Sequence, residues 1–254
     1  MNDGHTAILL AAGQGTRIAG MTNAPKVLLD LHGRSLLTRH FEAWAEAGLR
    51  RTALVVGYGQ DQVREAVAAL NPPLEIVWVD NEEFATKGNT HSLWLGLEAA
   101  AGAAVIFDAD LIYEPGILRK FMEAPAADAI LVGPSSLEDI ECAKALVDGR
   151  GCVRKTIDKR AVTAEELARY EFAGEAIGVL KFDASSCEAL ASAAAGFLAR
   201  PENVMLNWEH LLNRFLPNHD VACHHEPSDK WVEIDTPEDY AVALEKFAPN
   251  GAAG

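Results

Sequence analysis

The sequence predicts an α/β fold with a doubly wound, mainly parallel sheet and a smaller β-rich lobe in its second half. Short apolar runs at 7–10, 53–56, 74–79 and 104–107 alternate with helix-period segments. Strands separated by helices need crossovers and therefore pair in parallel. Two of these runs end in loop chemistry, Ala11-Ala12-Gly13-Gln14-Gly15-Thr16-Arg17 and Asp108-Ala109-Asp110. Open α/β sheets bind ligands at that end of their strands. After Pro125 the helical alternation gives way to closely spaced strand signals. One domain is expected over 1–254, with halves at 1–125 and 126–235 and a C-terminal helix and tail at 236–254.

Each element has a local reason. Ser35 can cap a helix over 35–47 with Leu36, Leu37, Phe41 and Trp44 on one face, and Gly48 ends it. A helix over 62–70 is broken by Asn71-Pro72-Pro73. A polar segment, 82–89, leads to a helix over 92–101 for which Ser92 is a candidate N-cap. Strands are expected at 129–132, 143–147 and 152–157, the last two flanking the hairpin signal Asp148-Gly149. A strand over 176–182 precedes an alanine-rich helix over 184–198 and a second helix over 204–216. Val221 and the run 232–235 read as strands, Pro237 opens a final helix, and the tail 250–254 is expected to be disordered.

Charge narrows the partners. The 37 acidic and 22 basic residues leave a net charge of −15, which excludes a nucleic-acid or anionic-membrane surface as the main partner. Cys142, Cys152, Cys187 and Cys223 have no C-x-x-C spacing, so neither zinc nor disulfides are expected. No leader-like or membrane-length apolar run is present, and the cytoplasm is the expected location. A homodimer is compatible with this composition.

The chemistry concentrates at the strand ends. Gly13 and Gly15 allow positive φ and close approach of backbone N–H groups to a phosphate, while Arg17 and Lys26 supply positive charge. Neither common phosphate motif fits. Ile18 stands where a dinucleotide fingerprint needs its third glycine, and Lys26 lies between Pro25 and Val27 instead of in Gly-Lys-Ser/Thr. Asp108 and Asp110 suit Mg²⁺, a hard cation held by carboxylates and phosphate oxygens, with Asp110 the stronger candidate. A strand-end turn explains the same two aspartates equally well. Asp235-Thr236 reads both as a helix cap and as a ligand, with Glu233 on the same strand face as Asp235. Asn81, Asn89 and Ser92, with Gly57-Tyr58, offer hydrogen-bonding groups for a base or ribose. His224-His225 show no partner ligands, and no G-x-S-x-G string marks a nucleophile.

Taken together, Ala11-Ala12-Gly13-x-Gly15-x-Arg17, Pro25-Lys26-x-Leu28-Leu29 and Gly33-x-x-Leu36-Leu37 resemble the signature of the nucleotidyltransferase superfamily. The run Asn89-Thr90-x-Ser92-Leu93-Trp94 is similar to its phosphocholine and phosphonate cytidylyltransferase branch. The resemblance implies a Rossmann-like fold of the nucleotide-diphospho-sugar transferase type and transfer of CMP from CTP to a small phosphonate or phosphomonoester. Candidate acceptors are 2-aminoethylphosphonate, phosphonoformate and phosphocholine. It implies Lys26 and Arg17 as catalytic residues, and Mg²⁺ held by Asp110 and Asp235. Nucleotide contacts would come from Leu10, Ala11, Ala12, Gly13, Gln14, Gly15, Thr16, Gly57, Tyr58, Asn81, Asn89, Ser92 and Asp108. Acceptor contacts would come from Lys144, Lys159 and Glu175. Rival readings are a sugar-1-phosphate nucleotidylyltransferase using UTP, dTTP or GTP, and a non-catalytic nucleotide-binding regulatory module.

Overall fold

Apolar strands with no polar face must be covered on both sides, and helices do this here. The structure, a computed structural model, describes residues 4–18, 20 and 22–249, so the tail 250–254 lies outside the described residues. The first half runs β1 (Thr6–Ala11), β2 (Asp30–Leu31), β3 (Arg34–Ser35), α1 (Leu36–Ala47), β4 (Arg51–Val56), α2 (Gln60–Leu70), β5 (Glu75–Asp80), α3 (Asn89–Ala100), β6 (Ala104–Asp108), β7 (Leu111–Tyr113) and α4 (Pro115–Glu123). The second half runs β8 (Ala129–Gly133), β9 (Lys144–Val147), β10 (Cys152–Ile157), α5 (Ala164–Leu167), β11 (Glu171–Phe182), α6 (Ala184–Leu198), α7 (Trp208–Phe215), β12 (Val221–His225), β13 (Trp231–Glu233) and α8 (Pro237–Lys246).

The main sheet has the order β5-β4-β1-β6-β11-β8-β12-β10-β9. Its first four strands are parallel, as the alternating pattern predicts. Beyond β6 the sheet is mixed. β11 runs antiparallel to β6, β8 and β9, while β12 is parallel to β8. Antiparallel pairing needs no helical crossover, which is why strand signals crowd together after Pro125. Successive residues of β1 feed opposite cores. Ile8 packs with Leu93 and Leu97 of α3, Leu190 of α6 and Trp208 of α7. Leu9 packs with Phe41 and Trp44 of α1 and Phe121 of α4.

Local chemistry explains most boundaries. Ser35 Oγ accepts from the Thr38 N–H at the start of α1, and Gly48 ends the helix at φ 86°. Thr236 and Asp239 form a reciprocal capping box behind Pro237 at the start of α8. α3 begins at Asn89, behind Gly88, so Ser92 is inside the first turn and is not the N-cap. A side chain at Gly88 would meet the Met205 and Leu206 carbonyls, which lie 2.7–2.8 Å from a Cβ built there. α7 is shorter than the expected 204–216: it starts at Trp208 behind Asn207 and ends at Phe215, and a separate 3-10 turn spans Pro201–Asn203. β7, α4 and α5 are additions to the sequence reading, and β11 starts five residues earlier than the expected 176.

Two irregularities position the site. β13 pairs antiparallel with β7, Trp231 opposite Tyr113 and Glu233 opposite Leu111. The Ile234 N–H then donates to the Asp110 carbonyl over 3.0 Å, bringing 235 beside 110. β11 slips register against β9 at Gly174 and against β8 around Gly178, where φ is 130° and 74°. Such bulges bend one strand through two lobes.

Candidate active site

Two adjoining cavities open at the carboxyl end of β1. The first, about 280 Å³, is bounded by the loop after β1, by Lys26, by the segment entering α3, and by Asp108, Asp110 and Asp235. Leu10, Ala11, Ala12, Gly13, Gly15, Thr16 and Arg17 all line it. Gly15 takes φ 59°, and a Cβ there would press within 3.3 Å of the Lys26 side chain. Gly13 differs from expectation in lacking positive φ, but the space its missing Cβ leaves is open, with nothing within 4 Å. Gln14 is exposed and is not part of the lining.

At the floor of this cavity the charges interlock. Lys26 Nζ donates to Asp110 Oδ2 and Asp235 Oδ1, each over 2.8 Å. Arg17 Nη1 lies 2.7 Å and Lys159 Nζ 3.2 Å from Asp235 Oδ2. Burial pulls the Lys26 ammonium down, but Asp110 and Asp235 more than offset this and hold its pKa above the ordinary value. Burial likewise pushes Asp235 up, and Lys26, Lys159 and Arg17 outweigh it, leaving Asp235 below the usual carboxylate value. Asp110, Glu233 and Asp235 each offer an oxygen, and these oxygens lie within 4.8 Å of one another. Asp110 Oδ1 is buried with no hydrogen-bond partner. A hard-oxygen donor set with one orphaned carboxylate oxygen fits a divalent cation. Burial, reinforced by Asp110 and Asp235, pushes Glu233 up to about 8. Asp108 is pushed well above the ordinary range by burial first, then by Asp110, Glu233 and Glu209. Its Oδ1 accepts from the Trp208 indole over 3.4 Å.

The remaining nucleotide-side candidates divide by role. Asn89 and Ser92 line the first cavity, and Asn89 Oδ1 also accepts from the Trp208 N–H over 2.9 Å, tying α3 to α7. Gly57, Tyr58 and Asn81 stand behind the wall. A Cβ at Gly57 would lie 2.8 Å from the Phe84 ring, so glycine there seats Phe84 against the cavity. The Tyr58 N–H donates to the Ala12 carbonyl over 3.1 Å, anchoring the loop after β1. Asn81 is buried, with its amide on Ser92 and His91.

The second cavity, about 550 Å³, shares Arg17 and Asp235 with the first and is lined by Glu175, Lys159 and Trp231 among others. Burial, with Asp139 adding to it against Lys144 and Lys159, pushes Glu175 up to about 7. Lys144 is not brought to this surface. It is fully buried, with its ammonium 3.2 Å from the Arg160 carbonyl and 3.5 Å from that of Cys142. All four residues of β9 are buried, so neither face of that strand offers Lys144 to a cavity, whereas Lys159, at φ 40°, lies past the end of β10.

The description "MobA-like NTP transferase domain" matches residues 7–196, three quarters of the chain. The chain belongs to this family. A choline-phosphate cytidylyltransferase of Streptococcus pneumoniae is 28% identical over 96% of the chain and 98% of its own length. A CMP-5'-(3-aminopropyl)phosphonate synthase of Streptomyces rubellomurinus is 30% identical over 49% of the chain. The chain spans only a fifth to about a third of the first curated relatives it matches. The solved CTP:phosphocholine cytidylyltransferase of S. pneumoniae superimposes with a TM-score of 0.76 at 23% identity, covering 95% of this chain and 98% of that one. That likeness establishes the α/β nucleotidyltransferase fold. No helix among the described residues is long and apolar enough to cross a membrane.

Several lining residues carried no signal in the sequence: Phe84 and Lys87 belong to the first cavity, and Asp139, Asp229, Asp239 and Lys246 to the second, where Glu141, Trp231 and Thr236 also stand. Lys87 shows there only as a basic residue in an otherwise acidic stretch after β5. Residues 139, 229 and 246 come from distant segments and carry no common spacing.

Proposed function

We propose that the chain is a cytidylyltransferase that moves CMP from CTP to a small phosphonate or phosphomonoester carrying an amine or quaternary ammonium group, releasing pyrophosphate. One observation carries the reading: a cavity with balanced charges and an acidic one meet at Arg17 and Asp235, and Asp235 is bonded to Lys26. The first has three carboxylates and three cations, Arg17, Lys26 and Lys87, and suits a triphosphate accompanied by a divalent cation. The second has seven carboxylates against three cations, and suits an acceptor whose far end is positive. Phosphonoformate would bring a second anion against that acidic wall. The named activities of the choline-phosphate and aminopropylphosphonate relatives support cytidine and an amine-bearing acceptor.

An acceptor oxygen attacks the α-phosphorus, the bond to the β-phosphate oxygen breaks, and the electron pair leaves with pyrophosphate. The acceptor oxygen is anionic near neutral pH, so no general base is needed, and positioning with charge stabilisation dominates. Arg17, more than half exposed at the mouth, takes the outer phosphates. Lys26, between the cavities, holds the α-phosphate and the acceptor oxygen together and offsets their repulsion. Asp110 and Asp235, with Glu233 beside them, would hold Mg²⁺, whose charge would offset that of the phosphates. Ligand binding then exchanges partners: phosphates take the ammonium and guanidinium groups that the carboxylates hold in the free protein.

A pyrophosphate-release screen tests this, pairing four NTPs with phosphocholine, 2-aminoethylphosphonate, phosphonoformate and sugar phosphates. Release with CTP and the amine-bearing acceptors is expected. Release only with UTP or dTTP and a sugar phosphate would make the chain a sugar-nucleotide synthase, and no release with any pair would leave a binding module.

A further inference from the structure

Most of the carboxylates that line the second cavity are already engaged. Asp235 is bonded to Lys26, Arg17 and Lys159. Asp239 Oδ2 accepts from the Asp235 and Thr236 N–H groups and from the Thr236 hydroxyl. Glu233 stands in the cluster with Asp110 and Asp235. Asp139 accepts from the Glu141 N–H, and Asp229 lies 3.5 Å from the Lys246 ammonium. Asp139, Glu141 and Asp229 are exposed, where water and salt weaken any ion pair they make. Glu175 is different. It is half-buried on β11, and among the described residues its carboxylate has no hydrogen bond or ion pair. The ammonium groups near it are committed elsewhere, Lys144 to the Arg160 and Cys142 carbonyls and Lys159 to Asp235. A shielded carboxylate without donors is costly, and a ligand that brings donors removes that cost.

The rest of the lining bears on which positive group fits. A quaternary ammonium has no N–H and is held by aromatic faces around its methyl groups. Among the described residues, Trp231 is the sole aromatic side chain lining the cavity. Its ring is pressed against β8, where a Cβ at Gly133 would lie 2.7 Å from it. One ring so placed makes no cage. Methyl groups set against Glu175 would also leave its oxygens without donors. A primary ammonium carries the same charge and three N–H donors.

We propose that the positive end of the acceptor must carry N–H groups and donates them to Glu175, so that the chain activates a primary-amine phosphonate or phosphomonoester and rejects its trimethylammonium counterpart. The proposal rests on the cytidylyltransferase reading of the same site and narrows its acceptor. The test follows pyrophosphate release from Mg-CTP with 2-aminoethylphosphonate and its N-methyl, N,N-dimethyl and N,N,N-trimethyl derivatives. In wild type, kcat/KM falls along the series as N–H groups are lost, and the trimethyl end lies at least about tenfold below the primary amine. A steric wall would give the same trend, and two measurements separate it. The first uses 2-guanidinoethylphosphonate, which has a bulky end group rich in N–H; it outperforms the trimethyl compound if donors decide, and fails with it if bulk decides. The second uses Glu175→Gln, which keeps the size of the side chain and removes its charge; it brings the two ends of the series within about threefold of each other. A steric wall or general damage would leave their ratio as in wild type. If Glu175→Gln does not fold, the guanidino comparison in wild type decides. Equal kcat/KM across the series, a guanidino compound no better than the trimethyl one, or an unchanged ratio in Glu175→Gln overturns the proposal, while turnover with CTP leaves the function standing. No turnover of any member with CTP overturns both.

Discussion

The two cavities share a wall and differ in how they are made. The first is built mostly from one loop, one helix start and two strand ends, and its carboxylates and cations are equal in number. The second is larger, gathers side chains from residues 134 to 246 besides Arg17, and holds more than twice as many carboxylates as cations. Phosphate recognition can be delegated to backbone N–H groups and a few fixed charges, which a compact motif supplies. Recognition of a positive end group needs only an acidic surface, which scattered residues supply as well as a motif does. Lys26 lines the first cavity and is bonded to Asp235, which lines both.

The contrast can be broken most severely at that junction. Lys26→Ala should lower turnover about 10²–10³-fold, the scale of one preorganised electrostatic contact, when pyrophosphate release is followed at saturating substrates. Near-normal turnover would remove Lys26 from the mechanism. Asp110→Asn should raise the Mg²⁺ concentration for half-maximal activity at least ~10-fold, because it alters the carboxylate of the Asp110, Glu233 and Asp235 cluster that presents an orphaned oxygen. An unchanged Mg²⁺ titration, or full activity after chelator treatment, would count against the cation site.

Glu175→Gln should separate the cavities, raising KM for an amine-bearing acceptor about tenfold while KM for CTP stays within about twofold. The same residue sets a sign for pH. Burial and Asp139 raise Glu175 to about 7, so its carboxylate gains a proton as pH falls through that value. Acceptor KM should rise from pH 8 to pH 6 in wild type and change less in Glu175→Gln. Equal slopes in the two proteins would place the cationic group elsewhere. The smallest effect is expected at the shared rim. Thr236→Ala removes the α8 cap and should cost about 1 kcal/mol, read as a fall in Tm of roughly 2–4 °C. A larger fall would mean that the capping box also holds Asp235, whose N–H donates to Asp239 Oδ2.

The first cavity was the more legible of the two. Gly15, Arg17 and Lys26 announce themselves because a phosphate loop needs positive φ and fixed charge within a short stretch. Ser92 was legible as a polar group with two uses, helix cap or base contact, and only the observed start at Asn89 excludes the cap. Lys144, named from the resemblance of its hairpin, is not at the cavity. Its strand is buried on both faces and its ammonium finds carbonyls, so a basic residue near a pocket is not thereby in it. The mixed sheet was half visible. Four parallel strands followed from helix–strand alternation, whereas the long path of β11 depends on bulges at Gly174 and Gly178, whose partners are distant in sequence.

What the sequence determined alone is local: the strand and helix periods, the caps at Ser35 and Thr236, and the glycine loop. Each depends on neighbours within a few residues, where backbone sterics and side-chain reach decide. What the tertiary structure decided is which charges meet. Asp235 reaches Asp110 only because β13 pairs with β7, and Lys26 bonds both only because the loop after β1 folds back at Gly15. Coulomb and hydrogen-bond energies depend on distance in space, and pairs such as Lys26 and Asp235, 209 residues apart along the chain, become neighbours only after folding.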